Sequence, residues 1–393
     1  MKKITLIKGD RLLWIAFVVL SVISLIAVFS ASGLTANTHA STPMRFFFKH
    51  LLFVVAAYIA ATVVSHMNYR FFAKATPWIL AAVLAILLVT AFSSTRWISL
   101  PIIGRFQPSE IAKILTVAFT AKQLAVERNH IDRPEVFNRI FIPMLLVAFV
   151  VLKDNFSMGA LIFITCFTLM YFGGINRQRW IRLLLISLLF VGGALAFFAT
   201  HPDIEWGRSM TWVNRIVTWM NPDPDVLSQE NIAKMAVARG GLTGQGVGST
   251  VHARLMTEAH NDFIFAIIIE ETGAIAAMAI FAIYSFIFLR CIAIARRTKG
   301  RFGSMLVLGL ALLIYYQALV NMFVAVGALP VTGQTLPLIS YGGTAYLCMG
   351  LTMGMIQSVA SDTALSETLK NRPQNPTPKP LAETAEPAEP IQP

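Results

Sequence analysis

Charge is scarce in this chain. Asp, Glu, Lys and Arg make up 13% of its 393 residues, against 56% hydrophobic residues. A water-facing surface carries about 25–35% charged residues, so a soluble globular fold is excluded and the bilayer becomes the solvent. Acidic groups are scarcer than basic ones, 20 against 32, for a formal net charge of +12. That surplus does not point to nucleic acid, because Lys and Arg come in short bursts between apolar runs and not on one continuous basic face. Cysteine is nearly absent. Cys166, Cys291 and Cys348 all fall inside apolar runs without CxxC spacing, which leaves no disulfide framework and no thiolate metal site. Metal-ligand spacing is not visible elsewhere, and no convincing internal repeat supports an inverted-repeat transporter.

What the chain does have is apolar runs. A membrane helix needs about 20 residues, and windows of that length occur at 12–32, 47–65, 73–92, 156–174, 180–200, 263–289, 303–328 and 337–359. Two weaker windows lie at 107–126, which contains Glu110 and Lys113, and at 139–152. The first run, with Lys2 and Lys3 before it and Ser30-Ala31-Ser32 at its end, copies the outline of a signal peptide. It is longer than an h-region of about 7–15 residues and reads as a first membrane helix. The expectation is an all-α polytopic membrane protein of about ten transmembrane helices. With the N-terminus in the cytoplasm, 21 of the 32 Lys and Arg residues fall on the cytoplasmic side, ten on the outer side, and Lys113 within a helix. The positive-inside rule therefore supports ten spans with both termini inside. Residues 1–360 read as the membrane domain, with a large outer loop at 201–261 between helices 7 and 8. Residues 361–393, rich in Pro, Glu and Ala, read as a disordered cytoplasmic tail.

Ionisable groups within spans are costly and mark functional sites by default. The fourth span opens Gln107-Pro108-Ser109-Glu110, with Lys113 three residues on and Arg96-Trp97 ahead of it. Pro108 suits a first helical turn, and Glu110 and Lys113 share a face. They make either a self-contained ion pair or one wall of a polar cavity whose Arg96 and Lys113 would meet an anion such as a pyrophosphate. Asp262, in the run Glu258 to Phe265, stands where the eighth helix enters from outside. It reads either as a helix cap or as a working carboxylate, with Glu270 two turns deeper on the same helix. Residues 327–343, with two prolines and four glycines in an apolar setting, fit a re-entrant turn buried in protein or lining a cavity.

These blocks resemble the SEDS family, the FtsW/RodA/SpoVE proteins of cell division and elongation. Carriers of the resemblance are Arg96-Trp97, Gln107-Pro108-Ser109-Glu110 with Lys113, Gly240-Gly241-Leu242 with Gly244, Gly246 and Gly248, Glu258 through Phe265 with Glu270-Glu271, and Asn321 through Gly343, in the family's order over residues 10–360. The resemblance implies a peptidoglycan glycosyltransferase that polymerises lipid II at the outer face of the cytoplasmic (inner) membrane, beside a class B penicillin-binding protein of the FtsI type. It implies Asp262 as the catalytic residue, and Arg96, Gln107, Glu110, Lys113, His260, Glu270 and Ser340 as substrate-binding residues. A divalent cation, Mg2+ or Mn2+, is compatible with that chemistry; its ligands are not identified and no organic cofactor is implied. Many members carry Glu-Pro-Asp-x-Gly between the fifth and sixth helices, where this chain has Lys153-Asp154-Asn155-Phe156-Ser157. The wording of Thr335 to Ser340 and the Pro-rich tail look more like the FtsW branch, and so imply a septal role among other divisome proteins. An elongation-type (RodA-like) polymerase, a lipid II flippase and an inactive scaffold remain as alternatives.

Overall fold

The computed structural model describes residues 8–32, 43–92, 97–100, 104–201, 208–221, 228–256 and 259–370. Ten helices of spanning length form the bundle: α1 Arg11–Ala31, α2 Pro43–His66, α3 Tyr69–Phe92, α4 Pro108–Val126, α5 Pro134–Asp154, α6 Phe156–Gly173, α7 Arg177–Thr200, α10 Ile264–Arg297, α11 Arg301–Ala325 and α12 Gly343–Lys370. Eight of these are both long and apolar enough to cross a membrane on those two criteria alone; α4 and α12 carry more polar residues. The outer loop holds two shorter helices, α8 Ser209–Met220 and α9 Gln229–Gly240. The all-helical expectation has one exception among the described residues, a three-residue hairpin of β1 Ile98–Leu100 and β2 Gly104–Phe106, antiparallel, just before α4.

Helix starts follow local chemistry. Asp10 caps α1 by accepting from the Leu12 and Leu13 amides at 3.0 and 3.1 Å, and Asn155, Asn176 and Ser228 cap α6, α7 and α9. Each cap satisfies amides that have no partner within their own helix. In lipid, helices associate through close packing and not through expulsion of water. The α2–α12 contact shows how: a Cβ on Gly350 would stand 2.5 Å from the Ala57 carbonyl oxygen. Cys166, Cys291 and Cys348 are free and buried, as packing residues.

Three boundaries differ from expectation. The tenth span starts at Gly343 and not at 337, because residues 326–342 form an irregular segment, buried over 336–340, in which Leu336, Leu338 and Ile339 are at most 1% exposed. This is the buried turn that the prolines and glycines of 327–343 predict. At its other end α12 runs on to Lys370, so helix continues ten residues into the expected tail, since no proline interrupts it before Pro373. Residues 371–393 lie outside the described residues. Lastly, α10 is broken at Gly273, whose φ of +78° and ψ of 177° are not helical. Before the break, 264–272 is clasped by the outer loop, with backbone bonds from Gln245 N to Glu270 O and from Gly246 N to Glu271 O. Only the part after it runs down to the cytoplasmic basic cluster Arg290, Arg296 and Arg297.

Candidate active site

The hairpin delivers the chain to α4 with Pro108 in the first turn, as its fixed φ favours. Glu110 follows in the same turn, where the helix dipole favours a carboxylate. Lys113 is fully buried, 2.7 Å from Glu110 Oε2. Its aligned hydrogen bond goes from Nζ to Gln317 Oε1 of α11 at 2.9 Å.

Asp262 sits one residue outside the helix cap. The N-cap position of α10 belongs to Phe263, with no side-chain cap bond, so the capping role does not describe Asp262. The chain around it is fixed by three successive backbone carbonyls. His260 O accepts from Tyr341 N at 2.9 Å, Asn261 O from Ser340 Oγ at 2.6 Å, and Asp262 O from Asn321 Nδ2 at 2.8 Å. The His260 ring packs edge-on against Phe46 and Tyr341. Gly333 lies alongside: the position of a Cβ there is 3.5 Å from Asp262 Oδ2 and 3.9 Å from Arg215 Nη1. Arg215, on α8, donates to the Val331 carbonyl at 3.1 Å and stands over the Trp212 ring. A carboxylate and a guanidinium thus share one corner of the site.

That corner opens into a cavity of about 840 Å3 lined by Asp262, Gln107, Glu110 and Asp154, and by the cationic groups of Lys49, Arg208 and Arg215. Tyr341 also lines it, and burial raises its phenol above the ordinary value, so it stays a neutral hydrogen-bonding group. A second, apolar cavity of about 340 Å3 lies between α5, α7 and α8, walled by residues such as Phe149, Leu152, Leu195 and Phe198. Arg208 and Trp212 line both. The two spaces are thus separated by no more than these shared side chains.

The predicted site residues therefore divide. Asp262, Gln107 and Glu110 line the cavity. His260 lies two residues before Asp262, and Ser340 holds the carbonyl of the residue between them, Asn261. Lys113 lies behind Glu110, out of reach of a ligand, which corrects the expectation that it meets an anion directly. Glu270 is also corrected. Its carboxylate accepts from Arg239 at 2.9 Å, His252 at 2.8 Å, Val251 N at 3.2 Å and Thr250 Oγ1 at 2.6 Å. It organises the outer loop and does not line the cavity, because its carboxylate is turned to the loop's Arg239, Thr250, Val251 and His252. Arg96 lies outside the described residues. Asp154, from the segment where the family pattern is missing, does line the cavity. Among the described residues no three His, Cys, Asp or Glu side chains converge to hold a metal.

A family model described as "Cell cycle protein", covering FtsW, RodA and SpoVE, matches residues 10–365. The chain belongs to the FtsW/RodA/SpoVE family. Stage V sporulation protein E of Bacillus subtilis is 31% identical over 371 residues, 89% of this chain and 96% of that one. "Probable peptidoglycan glycosyltransferase FtsW" of Coxiella burnetii is 29% identical, with the same coverage of 89% and 96%. Among solved structures, one described as "Structural coordination of polymerization and crosslinking by a peptidoglycan synthase complex" aligns with a TM-score of 0.72 at 20% identity, over 90% of this chain and 98% of that one. The rod shape determining protein RodA of Thermus thermophilus aligns at 0.63 and 19%, over 90% and 97%. Those two likenesses establish the SEDS fold.

Several site residues of this family member escape sequence reading. Lys49, Arg208 and Arg215 look like ordinary membrane-edge cations; Lys49 comes to the cavity from α2, and Arg208 and Arg215 come to it from the start and middle of α8. Gln317 and Asn321 of α11 carried a readable signal, two amides four residues apart in an apolar run.

Proposed function

We propose that this chain is a peptidoglycan glycosyltransferase that polymerises lipid II into glycan strands at the outer face of the cytoplasmic membrane, at the division septum. The observation that carries this reading is the Asp262 carboxylate on a cation-lined cavity, with an apolar cavity beside it that shares Arg208 and Trp212 as lining residues. Lipid II has matching parts in matching order: a sugar head, a diphosphate and a polyprenyl tail. Relatives named peptidoglycan glycosyltransferase FtsW support the activity.

In the proposed reaction Asp262 takes the proton from the 4-hydroxyl of the acceptor GlcNAc as that oxygen attacks C1 of the donor MurNAc. The C1–O bond to the diphosphate breaks, its electron pair leaves with undecaprenyl diphosphate, and the anomeric centre inverts. A positioned base of this kind contributes about 10²–10⁴-fold. Lys49, Arg208 and Arg215 are the cations available to the diphosphate as its charge grows. Lys113 acts through Glu110, by pairing with that carboxylate and fixing its position. A Mg2+ or Mn2+ ion, if bound, would be held by one or two of the cavity carboxylates together with the diphosphate of the substrate, whose charge it would help to neutralise. The partners in this reading are the nascent strand, a class B penicillin-binding protein that crosslinks it, and other divisome proteins. The structural likeness to a peptidoglycan synthase complex supports such pairing.

The test is polymerisation of purified lipid II by the full chain in detergent or liposomes, with and without a class B penicillin-binding protein, under moenomycin to silence unrelated polymerases. Glycan strands that vanish with Asp262→Ala, while the variant keeps its thermal unfolding midpoint, are the expected result. Lipid movement across liposomes without any strand formation would instead identify a flippase.

A further inference from the structure

Two buried amides on one face of α11 connect the two halves of the candidate site. Gln317 and Asn321 are four residues apart and each is 1% exposed. Gln317 Oε1 accepts from Lys113 Nζ at 2.9 Å, and its Nε2 donates to the Thr335 carbonyl at 2.9 Å. Asn321 Nδ2 donates to the Asp262 carbonyl at 2.8 Å and to the Gln334 carbonyl at 2.7 Å. Both orientations are dictated by the partners: an ammonium only donates and a carbonyl only accepts, so neither amide can be turned round. The segment at 334–335 is thereby fastened to α4 through one rung and, through the next, to Asp262 just outside the cap of α10.

We propose that Gln317 and Asn321 are positioning residues that set Glu110, through Lys113, and Asp262 in one frame against the 334–335 segment. This rests on the polymerase reading, in which a proton acceptor and a diphosphate-bearing donor must be held at fixed separation. Neither amide lines the cavity, so both act through the groups they hold. Misplacement by about 1 Å costs such a reaction about 10²-fold. The effect belongs in kcat and not in substrate affinity.

The test compares the wild-type full chain with Asn321→Asp, which keeps the shape but sets an acceptor against two carbonyls. Two readouts are needed: hydrogen–deuterium exchange of 331–341, and lipid II polymerisation kinetics. The expected result is faster exchange across 331–341 with kcat lowered about 10–100-fold and KM within about threefold. Unchanged exchange overturns the proposal whatever the activity. So does wild-type kcat, or a rise in KM alone, which would make Asn321 a substrate contact. Should Asn321→Asp fail to fold, Gln317→Glu, which keeps an acceptor for Lys113 and loses the donor to Thr335, is read by the same two measurements. A wild-type chain that makes no strands refutes the polymerase reading separately, and the exchange data still decide whether the clamp exists.

Discussion

The Gly273 backbone lies directly against Leu242 and Gly244. A Cβ on Gly273 would collide with the Leu242 carbonyl oxygen and stand 2.5 Å from the Gly244 amide nitrogen. With φ +78° and ψ 177°, the residue occupies a region closed to side chains. Gly273→Ala combines about 1–3 kcal/mol of backbone strain with that collision. The expected outcome is a clearly lowered thermal midpoint and loss of the outer loop's clasp on 264–272, read by circular dichroism melting in detergent. A wild-type melting curve would contradict it.

Removing one member of the Lys113–Glu110 pair strands the other. Lys113→Met leaves the Glu110 carboxylate, itself 5% exposed, without its cation, at a cost of about 3–5 kcal/mol. The double variant Glu110→Gln, Lys113→Met should regain most of that stability and yet form no glycan strands. Strand synthesis by the double variant would reduce the pair to a packing feature.

At the cytoplasmic end, Asp10 caps α1 and accepts two bonds from Arg290, at 2.9 Å from Nε and 2.6 Å from Nη2. Asp10→Ala loses cap and pair together, about 1–3 kcal/mol. Arg290→Ala loses only the pair and should melt between it and wild type. Polymerisation per folded molecule should be unaffected in both, because the contact lies across the membrane from Asp262.

Glu270→Gln replaces a carboxylate that gathers four donors with a group that itself donates on one side. A loss of about 1–3 kcal/mol is expected, concentrated in the outer loop. Limited proteolysis should cut 241–256 faster than in wild type while leaving the membrane helices intact.

The spans were legible because lipid imposes one simple demand, a run of apolar residues long enough to cross, and even α4 with its buried charge kept its register. Asp262 was legible as a misplaced carboxylate at a helix entrance, and 327–343 as a run that could neither form a helix nor face water. Glu270 misled because a helical projection gives the depth of a carboxylate and not its partners: the donors that claim it, Arg239, Thr250, Val251 and His252, come from the outer loop some 20–30 residues earlier. Lys113 was found, but not its orientation: whether a buried cation faces a cavity or a neighbouring amide depends on Gln317, some two hundred residues further along the chain. Arg208 and Arg215 were missed for the same reason, since their positions are set by how α8 lies over the bundle.

No residue of α7 is buried. Its cytoplasmic foot is tied to α6 by Trp180, which stacks on Phe167 and donates to its carbonyl at 3.0 Å; further along, it faces α8 and, across the apolar cavity, α5. The apolar groove thus has one wall that belongs to the protein and one that floats. A helix held this lightly can tilt to match the bilayer around it, so glycan synthesis is expected to differ between thin and thick bilayers.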